Sequence, residues 1–129
     1  MPIEVGAKYT VETIVTEKNT ASAVGSGLID VFATPMMIAQ MELAASSCIA
    51  GGLEAGQASV GTKIDVSHSA ATPIGMKVTA VATVTAVDRR RVDFAVTAHD
   101  EVGEIGSGTH TRFIIDVEKF MEKTNAKGE

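Results

Sequence analysis

The sequence predicts an α+β fold in which an antiparallel β-sheet wraps around one long central α-helix. Three observations carry this. One apolar stretch, Pro35 to Ala50, contains no glycine and almost no β-branched residue. Four later segments alternate apolar and polar residues with the period of two that marks half-buried strands. Short polar turns separate those segments, and strands that follow one another through short turns pair antiparallel.

Taken in order, Lys8 to Lys18 mixes Val, Ile and Thr with charged residues and reads as a strand near a sheet edge. Asn19 to Gly27 is rich in Ser, Gly and Ala, which suits a loop or a short lid-like segment. Asp30 to Ala33 leads into Thr34-Pro35, a helix start with Thr as N-cap and Pro at the first helical position. Gly51-Gly52 stops that helix after about four turns. Being apolar nearly all round, the helix is expected to be enclosed by the sheet.

Ala58 to Ser69 is the next strand, and Ala70 to Gly75, with its Thr72-Pro73 pair, is a connection. Met76 to Val87 sets Val78, Ala80, Ala82, Val84 and Ala86 against Thr79, Thr83 and Thr85. Asp88 to Arg90 is a polar turn. Arg91 to Asp100 then places Val92, Phe94, Val96 and Ala98 on one face, and Glu101 to Gly103 turns the chain into Glu104 to Asp116. Beyond Val117 the tail is polar and is expected to fray. With no internal repeat or linker, residues 1–129 read as one domain with an ordered core from about 5 to 117.

Composition narrows the function. The 129 residues carry a net charge of −5, which argues against nucleic-acid binding. A single cysteine cannot build a disulfide framework and suits a reducing compartment. Met1 to Gly6 lacks the basic and apolar regions of a signal peptide, and the apolar stretch Val31 to Leu53 is interrupted by Glu42, so no membrane span is expected. A cytoplasmic location is the resulting expectation. Only five aromatics are present, and a core of small residues buries less area per residue, a hint of self-association.

Glu42 is the only charged residue between Asp30 and Glu54, and on a helical wheel it falls among Ile38, Ala45 and Ile49. A carboxylate on an apolar stripe is costly unless it is paired or faces a polar cavity, and a desolvated one suits general-base work. The competing reading is a solvated glutamate on an open part of the helix. Thr34 reads first as a cap, although a hydroxyl at a helix N-terminus also lies where negative charge is favoured.

His68 near a strand end is either structural or a proton carrier. His99 beside Asp100-Glu101 reads as exposed, and His110 as a cross-strand structural residue. The three histidines lack metal-ligand spacing and Cys48 is isolated, so no metal is expected. Arg89-Arg90-Arg91 is either a solvated turn or a clamp for a phosphorylated ligand such as coenzyme A.

Phe32-Ala33-Thr34-Pro35, Glu42 eight residues later, and Gly61-Thr62 followed by His68 resemble the fluoroacetyl-CoA thioesterase branch of the hotdog-fold acyl-CoA thioesterases. The resemblance extends from about Val5 to Val117 and implies a hotdog fold around the central helix. It implies that Thr34 orients the thioester, Glu42 acts as nucleophile or base, and His68 stabilises charge or protonates the leaving thiolate. It further implies that Gly61 offers backbone N–H near the acyl group and that Arg112 lines the pocket or holds it together. Coenzyme A would enter only as part of the substrate, with no separate cofactor, and the chain would form a homodimer with its site at the subunit interface.

Fluoroacetate selectivity in this branch goes with an aromatic lid ahead of the helix. Ser22 to Asp30 has no aromatic and Leu28 is its largest apolar residue, so a more general small acyl-CoA is expected. Two rivals stand beside hydrolysis: a non-catalytic acyl-CoA-binding module, and an acyl-CoA hydratase. The hydratases typically carry an Asp–His pair on one helix, and Pro35 to Ala50 has neither residue.

Overall fold

The computed structural model describes residues 2–128. In chain order the elements are β1 (Lys8–Ile14), α1 (Ala21–Val24), α2 (Thr34–Ala50), β2 (Gln57–His68), β3 (Lys77–Asp88), β4 (Arg91–His99), β5 (Glu104–Asp116) and α3 (Val117–Ala126). The strands form one antiparallel sheet in the order β1-β3-β4-β5-β2, leaving β1 and β2 as its edges. This is the hotdog arrangement, with α2 as its central helix.

The period-two alternation decides which face meets the helix. Val78, Ala80, Ala82 and Val84 of β3 and Val92, Phe94, Val96 and Ala98 of β4 are buried. They pack with Met37, Met41, Ala44, Ala45 and Ile49 of α2 in one core. Small residues let the helix come close. Ala80 sits opposite Ala98, and Ala98 opposite Gly106 on β5. A Cβ at Gly106 would lie 2.7 Å from Met37 Sδ and from the Ser67 carbonyl oxygen. Buried Gln40 ties α2 to the sheet by donating from Nε2 to the carbonyls of Val11 (3.1 Å) and Val78 (3.0 Å).

The structure departs from the sequence expectation in four places. β1 ends at Ile14, four residues short of Lys18, and the 19–27 segment contains the short helix α1. Thr20 caps α1 through the Ala23 N–H, and Gly25 ends it at φ +82°. The tail does not fray from Val117: residues Val117–Ala126 form α3, whose side chains are all exposed. Finally, α2 is not enclosed on all sides. Ala39, Leu43 and Ala50 are exposed, Leu43 by 55%, because five strands cover only the face carrying Met37, Met41 and Ala45. No helix among the described residues is long and apolar enough to cross a membrane.

Candidate active site

Thr34 does not cap α2. Ala33 holds the N-cap position without a side-chain cap, and Thr34 is the first helical residue. Its hydroxyl is therefore free of the backbone, and Oγ1 lies 2.6 Å from His68 Nδ1. The segment ahead of the helix is pinned so that the two meet. The Phe32 N–H donates to the Thr72 carbonyl (2.9 Å) and the Ala33 N–H to the Asn19 carbonyl (3.0 Å). Thr72 is itself buried, and its hydroxyl donates to Asp100 Oδ2 at 2.9 Å. Asp100 Oδ1 in turn accepts from the Val102 and Gly103 N–H groups, so one carboxylate anchors both the β4–β5 turn and the Thr72 connection.

On the other side, His68 ends β2 opposite Gly106. Its Nε2 is buried and has no hydrogen-bond partner among the described residues. Burial holds the imidazole below its usual range; the polar Ala70 backbone works the other way without completing a bond to Nε2. The ring is therefore neutral near pH 7, with one nitrogen engaged by Thr34 and the other available to a ligand. Both residues line a cavity of about 280 Å³ whose walls also include Ala21, Ser26, Phe32 and Ala70.

Glu42, Gly61 and Arg112 meet elsewhere. Glu42 projects from α2 toward β2 and β5, where Gly61 pairs with Arg112. Its side chain is 43% exposed, and Arg112 Nη1 stands 3.9 Å from Oε2, beyond direct hydrogen-bonding range. The expectation of a carboxylate sunk in the apolar stripe is thus corrected. Ala45 and Ile49 are buried, but Glu42 lies at the margin of the covered face, where α2 leaves the sheet.

Arg112 is nearly buried and held rigidly. Nε donates to Ser59 Oγ (2.8 Å) and Nη2 to the Ser59 carbonyl (2.9 Å). Burial lowers its pKa and the Glu42 carboxylate opposes that shift. Nη1 faces His110 Nε2 at 3.3 Å, and because a guanidinium only donates, Nε2 must accept. His110 Nδ1 therefore carries the proton and donates to the Lys63 carbonyl at 2.7 Å. The ring is neutral, stacked on Phe94 at 5.9 Å between centroids, and held below the usual histidine range mainly by burial.

Gly61 matters through space. A Cβ there would fall 2.8 Å from Glu42 Oε2, 3.1 Å from His110 Cε1 and 3.4 Å from Arg112 Nη1.

The five residues singled out in the sequence thus fall into two groups. Thr34 and His68 touch; Glu42, Gly61 and Arg112 cluster; and no hydrogen bond or ion pair among the described residues joins the groups. Along α2 alone, Thr34 and Glu42 are eight residues apart, roughly 12 Å.

Sequence reasoning passed over Ser59 and assigned His110 only a structural role. The signal for His110 was present: Gly106, Gly108, His110 and Arg112 alternate along β5 and share its inner face. Among the described residues no three potential metal ligands converge.

Comparison with known proteins identifies the family. A family model described as FlK, fluoroacetyl-CoA-specific thioesterase, matches residues 15–118. A fluoroacetyl-CoA thioesterase of Streptantibioticus cattleyicolor is 49% identical over 98 residues, covering 76% of this chain and 70% of the relative. The solved structure of the fluoroacetyl-CoA thioesterase FlK is 40% identical with a TM-score of 0.94, covering 98% of each chain. A single-residue mutant of FlK, solved with fluoroacetate and CoA, is 41% identical with a TM-score of 0.86, covering 91% of this chain and 98% of the mutant. The matches span nearly the whole fold. The chain belongs to the fluoroacetyl-CoA-specific thioesterase family.

Proposed function

We propose that the protein hydrolyses the thioester of a small acyl-CoA at a site formed by Thr34, Glu42 and His68, completed by Gly61 and Arg112 across a homodimer interface. The observation that carries the reading is the use of Thr34. Its hydroxyl, at the positive end of a 17-residue helix, is bonded to a histidine whose second nitrogen is buried and unpartnered. Such a pair suits a thioester carbonyl and a departing thiolate.

The second copy is argued from the separation of the two groups. β2 is a twelve-residue edge strand, and the exposed side of α2 bears Leu43 next to Glu42. Antiparallel pairing of two β2 edges, centred near Ile64 and Asp65, sets Gly61 of one copy across from His68 of the other. Glu42 and Arg112 of one subunit then face Thr34 and His68 of its partner, and Leu43 is covered. Sedimentation at micromolar protein is expected to give twice the 13.4 kDa chain mass; a 13.4 kDa species would refute the shared site.

In this site Glu42 takes a proton from the water that attacks the acyl carbon, or attacks that carbon itself to give an anhydride that water cleaves once the thiolate has left. Arg112, fixed by Ser59 and His110, holds a positive charge beside the carboxylate. Thr34 and the N-terminus of α2 bear on the carbonyl oxygen as it gains charge, and stabilising that oxyanion is usually what accelerates acyl transfer most. The carbon–sulfur bond then breaks, and the proton released from water reaches the thiolate through His68 Nε2. The products are the free acid and CoA.

Glu42→Gln keeps the shape and removes the base. Thiol release from acyl-CoA should fall on the order of a hundred- to a thousandfold with acyl-CoA binding retained. Undiminished hydrolysis would remove Glu42 from the mechanism. Binding without turnover in the wild type, for every acyl group from acetyl to long-chain and aryl, would favour a sensing module.

A further inference from the structure

The hydrogen bond between Thr34 and His68 joins two segments with little packing behind them. Just beyond His68, Ala70 and Ala71 line both the site cavity and a second hollow of about 230 Å³. That hollow is bounded by the β4–β5 turn, where Val102 is 87% exposed. An open space gives its walls no partner atoms, so apolar contact does not fix this connection against the turn. Polar tethers have to do so.

Asp100 supplies them. Its Oδ2 accepts from the hydroxyl of the fully buried Thr72 at 2.9 Å. Its Oδ1 accepts from the N–H groups of Val102 (2.8 Å) and Gly103 (3.1 Å). The Val102 N–H does most to hold the carboxyl below its usual range; burial opposes it, and the Thr72 hydroxyl and the Gly103 N–H add to it. Asp100 is thus ionised at neutral pH and accepts in every one of these bonds.

One chain of bonds runs from this carboxylate to Thr34. The Thr72 carbonyl accepts the Phe32 N–H at 2.9 Å and Val31 bridges to Pro73, so the residues just ahead of α2 hang on the Thr72 connection. The other chain runs to His68. The turn held by Oδ1 leads into Ile105, whose carbonyl accepts from the Ser69 N–H at 2.7 Å and the Ser69 hydroxyl at 3.3 Å. Ser69 directly follows His68. Both partners of the 2.6 Å contact are therefore tied to one side chain that lines no part of their cavity.

We propose that Asp100 is a positioning residue for hydrolysis, setting the Thr34–His68 contact through the Thr72 hydroxyl and the β4–β5 turn. This rests on the thioesterase reading and adds to it the group that aligns the pair. A displacement of about 1 Å near reacting atoms can cost on the order of a hundredfold in rate, so a tether outside the cavity is felt in turnover.

The test uses Thr72→Val, which keeps the shape and the Phe32 bond and removes only the hydroxyl. Thr72→Ser keeps the hydroxyl, and Asp100→Ala removes the carboxylate. All are assayed well below their unfolding temperatures. Thr72→Val and Asp100→Ala should lower kcat for acyl-CoA about tenfold or more with KM within about twofold of the wild type, and Thr72→Ser should regain most of the loss. Ile49→Val, a core change at the far end of α2, should lower the thermal midpoint and leave kcat unchanged. Added to Thr34→Val, Thr72→Val should lower kcat no further, because the contact it aligns is already gone. Nitrogen NMR of the labelled protein should show the His68 Nδ1 resonance displaced in Thr72→Val and Asp100→Ala and restored in Thr72→Ser.

A Thr72→Val enzyme with wild-type kcat, a loss carried by KM alone, or a full additional loss in the Thr34→Val background would overturn the proposal. So would a fall in kcat with the His68 resonance unmoved. A wild type that hydrolyses no acyl-CoA refutes the thioesterase reading instead. The alignment is then judged on the resonance alone: displacement in Thr72→Val and Asp100→Ala supports it, and an unchanged signal refutes it.

Discussion

At the scale of single residues, a one-position offset in a helix start decides what Thr34 can do. Thr-Pro before an apolar run reads as N-cap and first helical residue, yet the backbone places Ala33 at the cap and Thr34 inside the helix. Removing a true threonine cap costs about 1 kcal/mol, whereas an exposed substitution away from such a feature stays within about 0.5 kcal/mol. Thr34→Val should therefore leave chemical denaturation nearly unchanged while lowering hydrolysis at least about tenfold. A stability loss near 1 kcal/mol with activity intact would restore the capping role.

Gly61 makes a parallel case. The atom its missing Cβ would strike is the free end of a half-exposed glutamate, which can swing away. Gly61→Ala is thus expected to cost activity far more than stability, and a variant as active as the wild type would show that Glu42 needs no fixed position.

Among elements, β5 shows how one strand carries both packing and chemistry. Its inner face runs Gly106, Gly108, His110, Arg112, so the half nearest the N-terminus of α2 is bare and the other half is polar. At Gly108 an added Cβ would run into the Asp65 carbonyl oxygen and lie 2.6 Å from Val66 Cα, both main-chain atoms of β2 that cannot move aside. Gly108→Ala should cost about 3 kcal/mol in urea unfolding, the upper end of overpacking penalties and the reverse of the Gly61 pattern. A neutral Gly108→Ala would mean that β2 and β5 are not held at the observed spacing.

Element boundaries were also where sequence reasoning failed. The long helix and the four strands β2, β3, β4 and β5 followed from periodicity, because apolar spacing and turn residues agree there. α1 and α3 did not. α1 is four residues long, and α3 is polar with no buried side chain, so neither leaves a burial pattern to read.

For the whole molecule, the two imidazoles couple the fold to pH. His68 and His110 are both held below the ordinary value of 6.5, mainly by burial. As pH falls, the unfolded chain takes up these protons first. The contribution of the neutral rings to stability is therefore complete above about pH 6.5 and is lost as pH drops through their folded values. The thermal midpoint should fall between about pH 7 and pH 5, and His110→Phe, which keeps a ring against Phe94, should flatten that slope. An equal slope in the variant would assign the acid sensitivity to other groups.

The sequence by itself determined the class of fold and the inner face of the sheet, because a period of two or of 3.6 is local and survives any arrangement of the elements. It also singled out Thr34, Glu42, His68, Gly61 and Arg112, since a lone charge in an apolar helix and a recognisable spacing are properties of the chain. Only the tertiary structure decided how those residues divide: Thr34 with His68 at one end of α2, and Glu42 with Gly61 and Arg112 further along. It also determined that Glu42 lies at the margin of the buried face, and that His110 holds Arg112 through a defined tautomer. These depend on where β2 ends relative to the start of α2 and on which strands flank β5. Such distances join residues far apart in sequence, and no local periodicity encodes them.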